Sequence, residues 1–280
     1  MRRVNKPQES PKEVFKVCIS NIRDADFKKR LDECEDIIKD ASIEFENKVS
    51  NATLYTIPIT QTIAGKVTVE EMQKIYNDKM VKKDSPGRRF YDALISVPKY
   101  GRCPICSIGK VTTLDHHLPQ SKYPALTVSP VNLIPMCFDC NKIKLTLDPK
   151  IGEEELLHPY FDDIENDYWL YCNVVEIAPG ALIYFVDTPM NWGDTLKKRV
   201  EYHFKSFHLA DLYSLYAAEA LTEIRASLSK VFISNGLQGV RDYLKDCADS
   251  IEYTYKNSWR FAMYRALASN DWFCGGGFAG

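Results

Sequence analysis

The sequence predicts an α+β fold, mainly α-helical, in which a small metal-organised unit lies embedded between helical N- and C-terminal regions and is followed by a β-hairpin. Three observations carry this expectation. Apolar residues recur at intervals of three and four before about residue 98 and again from about 193 to 270. That periodicity lapses between Tyr100 and Lys150, where short apolar runs are broken by Gly, Pro and Asn. The same stretch holds two Cys-x-x-Cys pairs, Cys103/Cys106 and Cys137/Cys140. The chain therefore divides into a helical region 1–98, a small irregular unit 99–150 and a hairpin-plus-helix region 151–280.

Residues 24–49 place Leu31, Cys34, Ile37, Ile38, Ala41, Phe45 and Val49 on one helical stripe with charges between them, which predicts a single amphipathic helix. A second helix is expected to start at Thr68, because Thr68-Val69-Glu70-Glu71 has the form of a capping box and Met72, Ile75, Tyr76 and Met80 continue a stripe. Pro86 opens a third, through Phe90, Leu94 and Val97. Beyond the irregular unit, Tyr168 to Ile177 and Leu182 to Val186 flank Ala178-Pro179-Gly180-Ala181 and read as the two strands of a hairpin. The C-terminal helices are expected to break near Phe207-His208, Asn235-Gly236 and Tyr255.

Length and composition fit an ordinary soluble protein. The 280 residues are long enough to bury a substantial core, and 45% apolar with 26% charged residues lies far from disordered or membrane classes. The basic start, Met1-Arg2-Arg3, is not followed by the apolar stretch of a secretion signal. The longest apolar runs, such as Ala181 to Val186, fall far below the roughly 20 residues that span a bilayer. A cytoplasmic protein with no membrane partner is expected. The net charge of −2 hides an asymmetry: residues 96–150 carry +4 and residues 151–280 carry −8. A basic centre suits a polyanion, and an acidic C-terminal half suits protein contacts, whether with a second copy in a homo-oligomer or with another protein.

Nine cysteines are an odd number, and in a reducing compartment clustered cysteines bind metal more often than they form disulfides. Cys18, Cys34, Cys172, Cys247 and Cys274 are scattered and read as small buried hydrophobes. The other four form two knuckles 30 residues apart, and a two-residue spacer lets both sulfurs of a knuckle reach one tetrahedral zinc ion. Four thiolates leave no open position for a substrate, so that zinc is structural. The insert between the knuckles is longer than in simple zinc ribbons. It holds Leu114-Asp115-His116-His117-Leu118-Pro119 and Asn132-Leu133-Ile134-Pro135, and the second knuckle runs directly into Asn141-Lys142-Ile143-Lys144.

Over about residues 100–146 the sequence resembles the HNH (His-Me finger) endonuclease family: a Cys knuckle, Asp-His-x-x-Pro, an Asn-Leu segment, then Cys-x-x-Cys-Asn with a following Lys. The resemblance implies a ββα-metal finger in which one strand carries the Asp-His pair and a short helix carries the last Asn. It implies Asp115 and Asn141 as ligands of one catalytic divalent ion, Mg2+ or Mn2+, His116 as general base, and Asn132 as the residue that orients the histidine-bearing loop. It implies Cys103, Cys106, Cys137 and Cys140 as ligands of a structural Zn2+, with Cys140 placing Asn141 beside it. The activity implied is hydrolysis of phosphodiester bonds in DNA with low sequence specificity. RNA stays open as a substrate. The layout also looks like HNH effectors of bacterial anti-phage systems such as Septu and the retrons, in which an ATPase partner restrains the nuclease.

The residue types suit that chemistry. Mg2+ keeps several waters and takes one or two protein oxygens plus phosphate, so one carboxylate and one amide carbonyl suffice. A histidine of ordinary pKa near ~6.5 accepts a proton from water at neutral pH. His117 departs from the apolar residue common after the base, which leaves two candidate bases, with His116 at the family position and a structural hydrogen bond as the other role for His117. Lys122, Lys142 and Lys144 are candidates for phosphate contacts or solvated surface charges. His158 is expected to pack or turn rather than to reach a metal, and His203 and His208 belong to helical patterns. The competing reading is a zinc-organised module that binds nucleic acid or protein without cutting, which needs the four cysteines but not Asp115, His116 and Asn141 together.

Overall fold

The computed structural model describes residues 1–279 and divides into two compact units, Met1–Asp163 and the chain from Ile164 onward. It is mainly helical, and the described residues form three separate antiparallel strand pairs, as the α+β expectation requires. Leu114, Val128 and Leu133 from residues 99–150 sit in the same core as Phe15, Ile38 and Met72 of the helical region 1–98.

In the first unit the helices are α1 (Pro11–Ile19), α2 (Ala25–Asp32), α3 (Glu35–Ser50), α4 (Val69–Ile75) and α5 (Arg88–Ser96). The single helix expected over 24–49 is two. Asp24 caps α2 through its side chain, which accepts from the Phe27 N–H, and the chain breaks at Glu33-Cys34. There Cys34 N–H donates to Leu31 O at 2.9 Å and the fully buried Cys34 thiol donates back to Arg30 O, and α3 starts afresh at Glu35. The two ends of α3 serve different clusters: Ile38 joins the main core, whereas Phe45 and Val49 pack with Leu54, Leu118, Leu126 and Val131.

Thr68 caps α4 as its sequence predicts. Its hydroxyl accepts from the Glu71 N–H and the Glu71 carboxylate accepts from the Thr68 N–H, an arrangement that contributes about 1 kcal/mol. The preceding strands, β1 (Thr62–Ile63) and β2 (Val67–Thr68), form a tight pair that carries too few residues to show any periodicity. After α4 the winding loosens into a π-helical turn, Tyr76–Val81, that turns the Tyr76 side chain inward. Helix α5 follows Pro86 and packs on β3 (Thr113–His116) and β4 (Leu133–Met136).

Strands β3 and β4 pair antiparallel with Asp115 opposite Ile134 and His116 opposite Leu133, and α6 (Phe138–Lys144) follows and lies against β3. Sixteen residues, His117 to Asn132, join the two strands and hold two one-turn helices, 124–126 and 130–132.

The second unit has its own framework. β5 (Leu170–Val175) pairs with β6 (Ala181–Val186) as the expected hairpin, and α7 (Asp194–Ser206), α8 (Leu209–Tyr255) and α9 (Trp259–Ser269) follow. The three predicted breaks are present: His208 is left-handed at φ 49°, Gly236 interrupts α8 at φ 63° and ψ −160°, and α8 ends at Tyr255. Buried Trp169 anchors the hairpin, its indole N–H donating to Ile164 O at 2.9 Å and its backbone N–H to Asn257 Oδ1 at 3.0 Å. Among the described residues, no helix is long and apolar enough to cross a membrane.

Candidate functional site

The four cysteines converge. In the first knuckle Cys103 N–H donates to Gly109 O at 2.8 Å, Ser107 N–H returns to Cys103 O at 2.8 Å, and Gly109 N–H points at Cys106 Sγ from 3.3 Å. Gly109 is required there, because a Cβ would stand 2.7 Å from both Cβ and Sγ of Cys137. The second knuckle opens α6, with Cys137 as its N-cap and Cys140 inside the first turn. All four sulfurs are buried and lie within 4.8 Å of one another. Cys106 Sγ and Cys137 Sγ are 3.8 Å apart. A tetrahedral ion with metal–sulfur bonds of about 2.3 Å sets its sulfurs about 3.8 Å apart, so the cluster can hold a metal such as zinc. Four thiolates this close repel one another strongly unless a cation sits between them.

Of the five remaining cysteines, Cys18, Cys34, Cys172 and Cys274 are buried as expected and Cys247 only partly so.

Along β3 burial alternates. Leu114 and His116 face inward, and Thr113 and Asp115 stay half-buried. The His116 ring lies edge-on to Tyr76, with centroids 4.7 Å apart, and the Tyr76 hydroxyl donates to Leu114 O at 3.1 Å. His116 Nε2 is 2.8 Å from Thr127 O. A carbonyl only accepts, so Nε2 carries the proton and Nδ1 keeps the lone pair. Burial brings the His116 pKa down to about 4, against the pull of the Thr127 carbonyl and Asp115, so the ring is neutral at physiological pH.

Asn132 is wholly buried and its amide ties both ends of the connecting loop. Oδ1 accepts from Leu118 N–H at 2.8 Å, and Nδ2 donates to Leu118 O at 3.1 Å and Leu126 O at 3.2 Å. Its own carbonyl accepts from His117 N–H at 2.7 Å. The residue one step beyond His116 is thereby fixed to the residue that precedes β4.

His117 faces elsewhere. Its ring packs 4.4 Å from that of His158 and edge-on to Phe45 at 6.2 Å. His158 is fully buried, with Nε2 3.0 Å from Val131 O and Nδ1 accepting from Tyr160 N–H, the packing role expected of it.

The lysines separate. Lys142 is exposed on α6, and Lys122 pairs with the buried Asp148 carboxylate at 3.0 Å. Lys144 corrects the expectation of a surface lysine reaching for phosphate, since its side chain has no exposed area. It lies 2.5 Å from His116 O, to which it donates, and 3.3 Å from Asp115 Oδ2. Burial pulls the ammonium below the usual lysine range while Asp115 pulls it back. Asn141 is half-buried one turn before Lys144 and so shares its face of α6.

The structure thus brings Asp115, His116 and Lys144 together and clusters the four cysteines. Asn141 is set on the helix that packs against β3, and Asn132 under the loop. His117 and Lys142 lie apart from this group. Sequence reasoning missed Tyr76, Thr127 and Gly109. The Cys-x-x-Cys-x-x-Gly spacing signals Gly109, but nothing local signals the other two.

Fold and site define a mainly helical α+β protein built around a four-cysteine cluster able to bind metal. Over 233 residues the chain is 34% identical to protein Ea31 of Escherichia phage lambda, an alignment that covers 77% of this chain and 78% of the phage protein. The chain belongs to the Ea31 family. No protein-family model and no solved structure matches it.

Proposed function

We propose that the chain is a metal-dependent HNH endonuclease that hydrolyses phosphodiester bonds in DNA, with a ββα-metal finger formed by β3, β4 and α6 and a structural zinc in the four-cysteine cluster. The observation that carries the reading is Asp115 beside His116 at the end of a strand braced by α6, with His116 Nε2 held on the Thr127 carbonyl. A general base needs an unprotonated nitrogen, and the Thr127 carbonyl leaves the lone pair on His116 Nδ1. Asp115 and Asn141 would hold Mg2+ or Mn2+, which supplies Lewis-acid stabilisation of charge on the phosphoryl and leaving oxygens. His116 takes the proton of the attacking water, and Tyr76 and Thr127 keep its ring from turning. The zinc ligand Cys140 precedes Asn141 directly, so the cluster fixes the helix that presents it. The +4 charge of residues 96–150 suits a phosphate backbone. The layout of a small finger followed by an acidic helical half supports a nuclease restrained by a protein partner, as in anti-phage effectors.

The test incubates purified protein and its His116→Ala variant with supercoiled plasmid in Mg2+ or Mn2+, with EDTA, single-stranded DNA and RNA lanes. Nicking that is lost in the variant and in EDTA is the expected result. A zinc-loaded, folded protein that binds DNA or a protein without cutting any substrate would instead establish the non-catalytic module.

A further inference from the structure

Lys144 has no surface of its own, yet it contacts the two consecutive residues on which the proposed chemistry rests. An ammonium group is costly to bury, and a protein keeps one only where fixed acceptors receive it. Here the acceptors are the backbone carbonyl of His116, at 2.5 Å, and the carboxylate of Asp115, at 3.3 Å. The two oxygens of Asp115 are not equivalent. Oδ2 is buried and lies 3.3 Å from the Lys144 ammonium, while the side chain as a whole keeps 14% of its surface exposed. The carboxylate is therefore held by one oxygen from behind. The holding residue is the last of α6, three positions after Asn141, so the helix that carries one proposed metal ligand also grips the other.

We propose that Lys144 is a positioning residue: from inside the fold it sets the orientation of the Asp115 carboxylate and of the His116 backbone, so that the other Asp115 oxygen is presented to the divalent ion. The inference rests on the nuclease reading for the role of Asp115, but it makes a separate statement about ion binding. A lysine that only filled space would be replaced by an apolar side chain of similar length at no cost to the ion.

The experiment uses the full-length, zinc-loaded protein and its Lys144→Met and Lys144→Gln variants. Mn2+ binding is read by the electron paramagnetic resonance signal of the free ion, zinc by metal analysis, and kcat and KM on plasmid DNA in Mn2+. In Lys144→Met, zinc and KM for DNA are expected to stay at wild-type values, while Mn2+ affinity and kcat each fall about 10- to 100-fold, the range seen when the partner of a metal ligand is removed. Lys144→Gln can still donate to the His116 carbonyl and is expected to fall between the two. If Lys144→Met loses zinc or fails to fold, Lys144→Gln carries the same test on Mn2+ affinity. A folded variant that binds Mn2+ as tightly as wild type overturns the proposal. Wild-type protein that binds Mn2+ through Asp115 but cuts nothing overturns the nuclease reading and leaves the positioning role in place, whereas wild-type protein that does not bind Mn2+ removes both.

Discussion

The two units bury different things. Among the described residues, the first buries Ser42, His116, His117, Thr127, Ser129, Asn132, Lys144, Glu155 and His158; the second buries only Arg199, His203 and Ser258 of that kind. Apolar contacts dominate the second unit, with Tyr213, Ala217 and Leu244 of α8 and Phe261 and Leu267 of α9 in its interior. In the first unit many of the buried polar groups bond the backbone of residues 114–132, as Tyr76, Asn132, Lys144 and His116 itself do. Apolar packing tolerates exchange among similar side chains, whereas a polar network is costly to leave half-satisfied. The contrast separates a region built to hold specific atoms in place from one built to be stable.

Removing a metal held by the four cysteines should break this contrast most severely. Structural zinc sites contribute on the order of 10 kcal/mol to folding, and four thiolates cannot stay clustered without a cation. Chelation, or Cys137→Ser, is expected to abolish amide-exchange protection around residues 100–146 and to leave that of α8 and α9 in place. Hydrogen exchange followed by mass spectrometry measures both regions at once, and equal loss in the two would erase the distinction.

Replacing the proposed base ranks next. His116→Ala should lower the proposed cleavage by about 100- to 10,000-fold, the usual contribution of a positioned general base. His117→Ala removes a ring from the Phe45–His158 cluster and should lower stability with far less effect on the rate. Single-turnover cleavage together with thermal melting separates the two, and the reverse pattern would transfer the base to His117.

Asn132→Ala deletes three hydrogen bonds to the backbone of Leu118 and Leu126. At about 1 kcal/mol each, a loss of about 3 kcal/mol is expected in urea unfolding of the first unit. The smallest effect belongs to the other unit. Gly236→Ala places a Cβ at φ 63° and ψ −160°, a conformation costing about 1–3 kcal/mol for other residues, although nothing lies within 4 Å of the added carbon. It should lower the melting temperature of the second unit and leave cleavage unchanged.

What the sequence disclosed follows how local each cause is. The Thr68 cap, the β5–β6 hairpin and the break at Gly236 depend on neighbouring residues and are legible in one dimension. The break between α2 and α3 is not, because Cys34 continues the apolar stripe and only the packed structure shows the chain turning there. The cysteine cluster is legible because a metal site has fixed spacings. Lys144 is not: among surface lysines its letter is identical, and its burial depends on Asp115, 29 residues earlier, arriving beside it. Tyr76 is read from its spacing as one more stripe residue, yet a π-helical turn sends it to the back of His116.

The pairing of β3 with β4 bears on how this stretch of chain can change over time. Side chains alternate along a strand, so a slip of one residue would exchange His116 for His117 and turn Asp115 inward. Thr112 N–H on Met136 O locks one end of the pair and His117 N–H on Asn132 O the other. With both ends locked, the strand has no slack to absorb a lost or gained codon. Insertions and deletions should be excluded from residues 112–117 far more strictly than substitutions are, and length variation should gather in the exposed turns elsewhere.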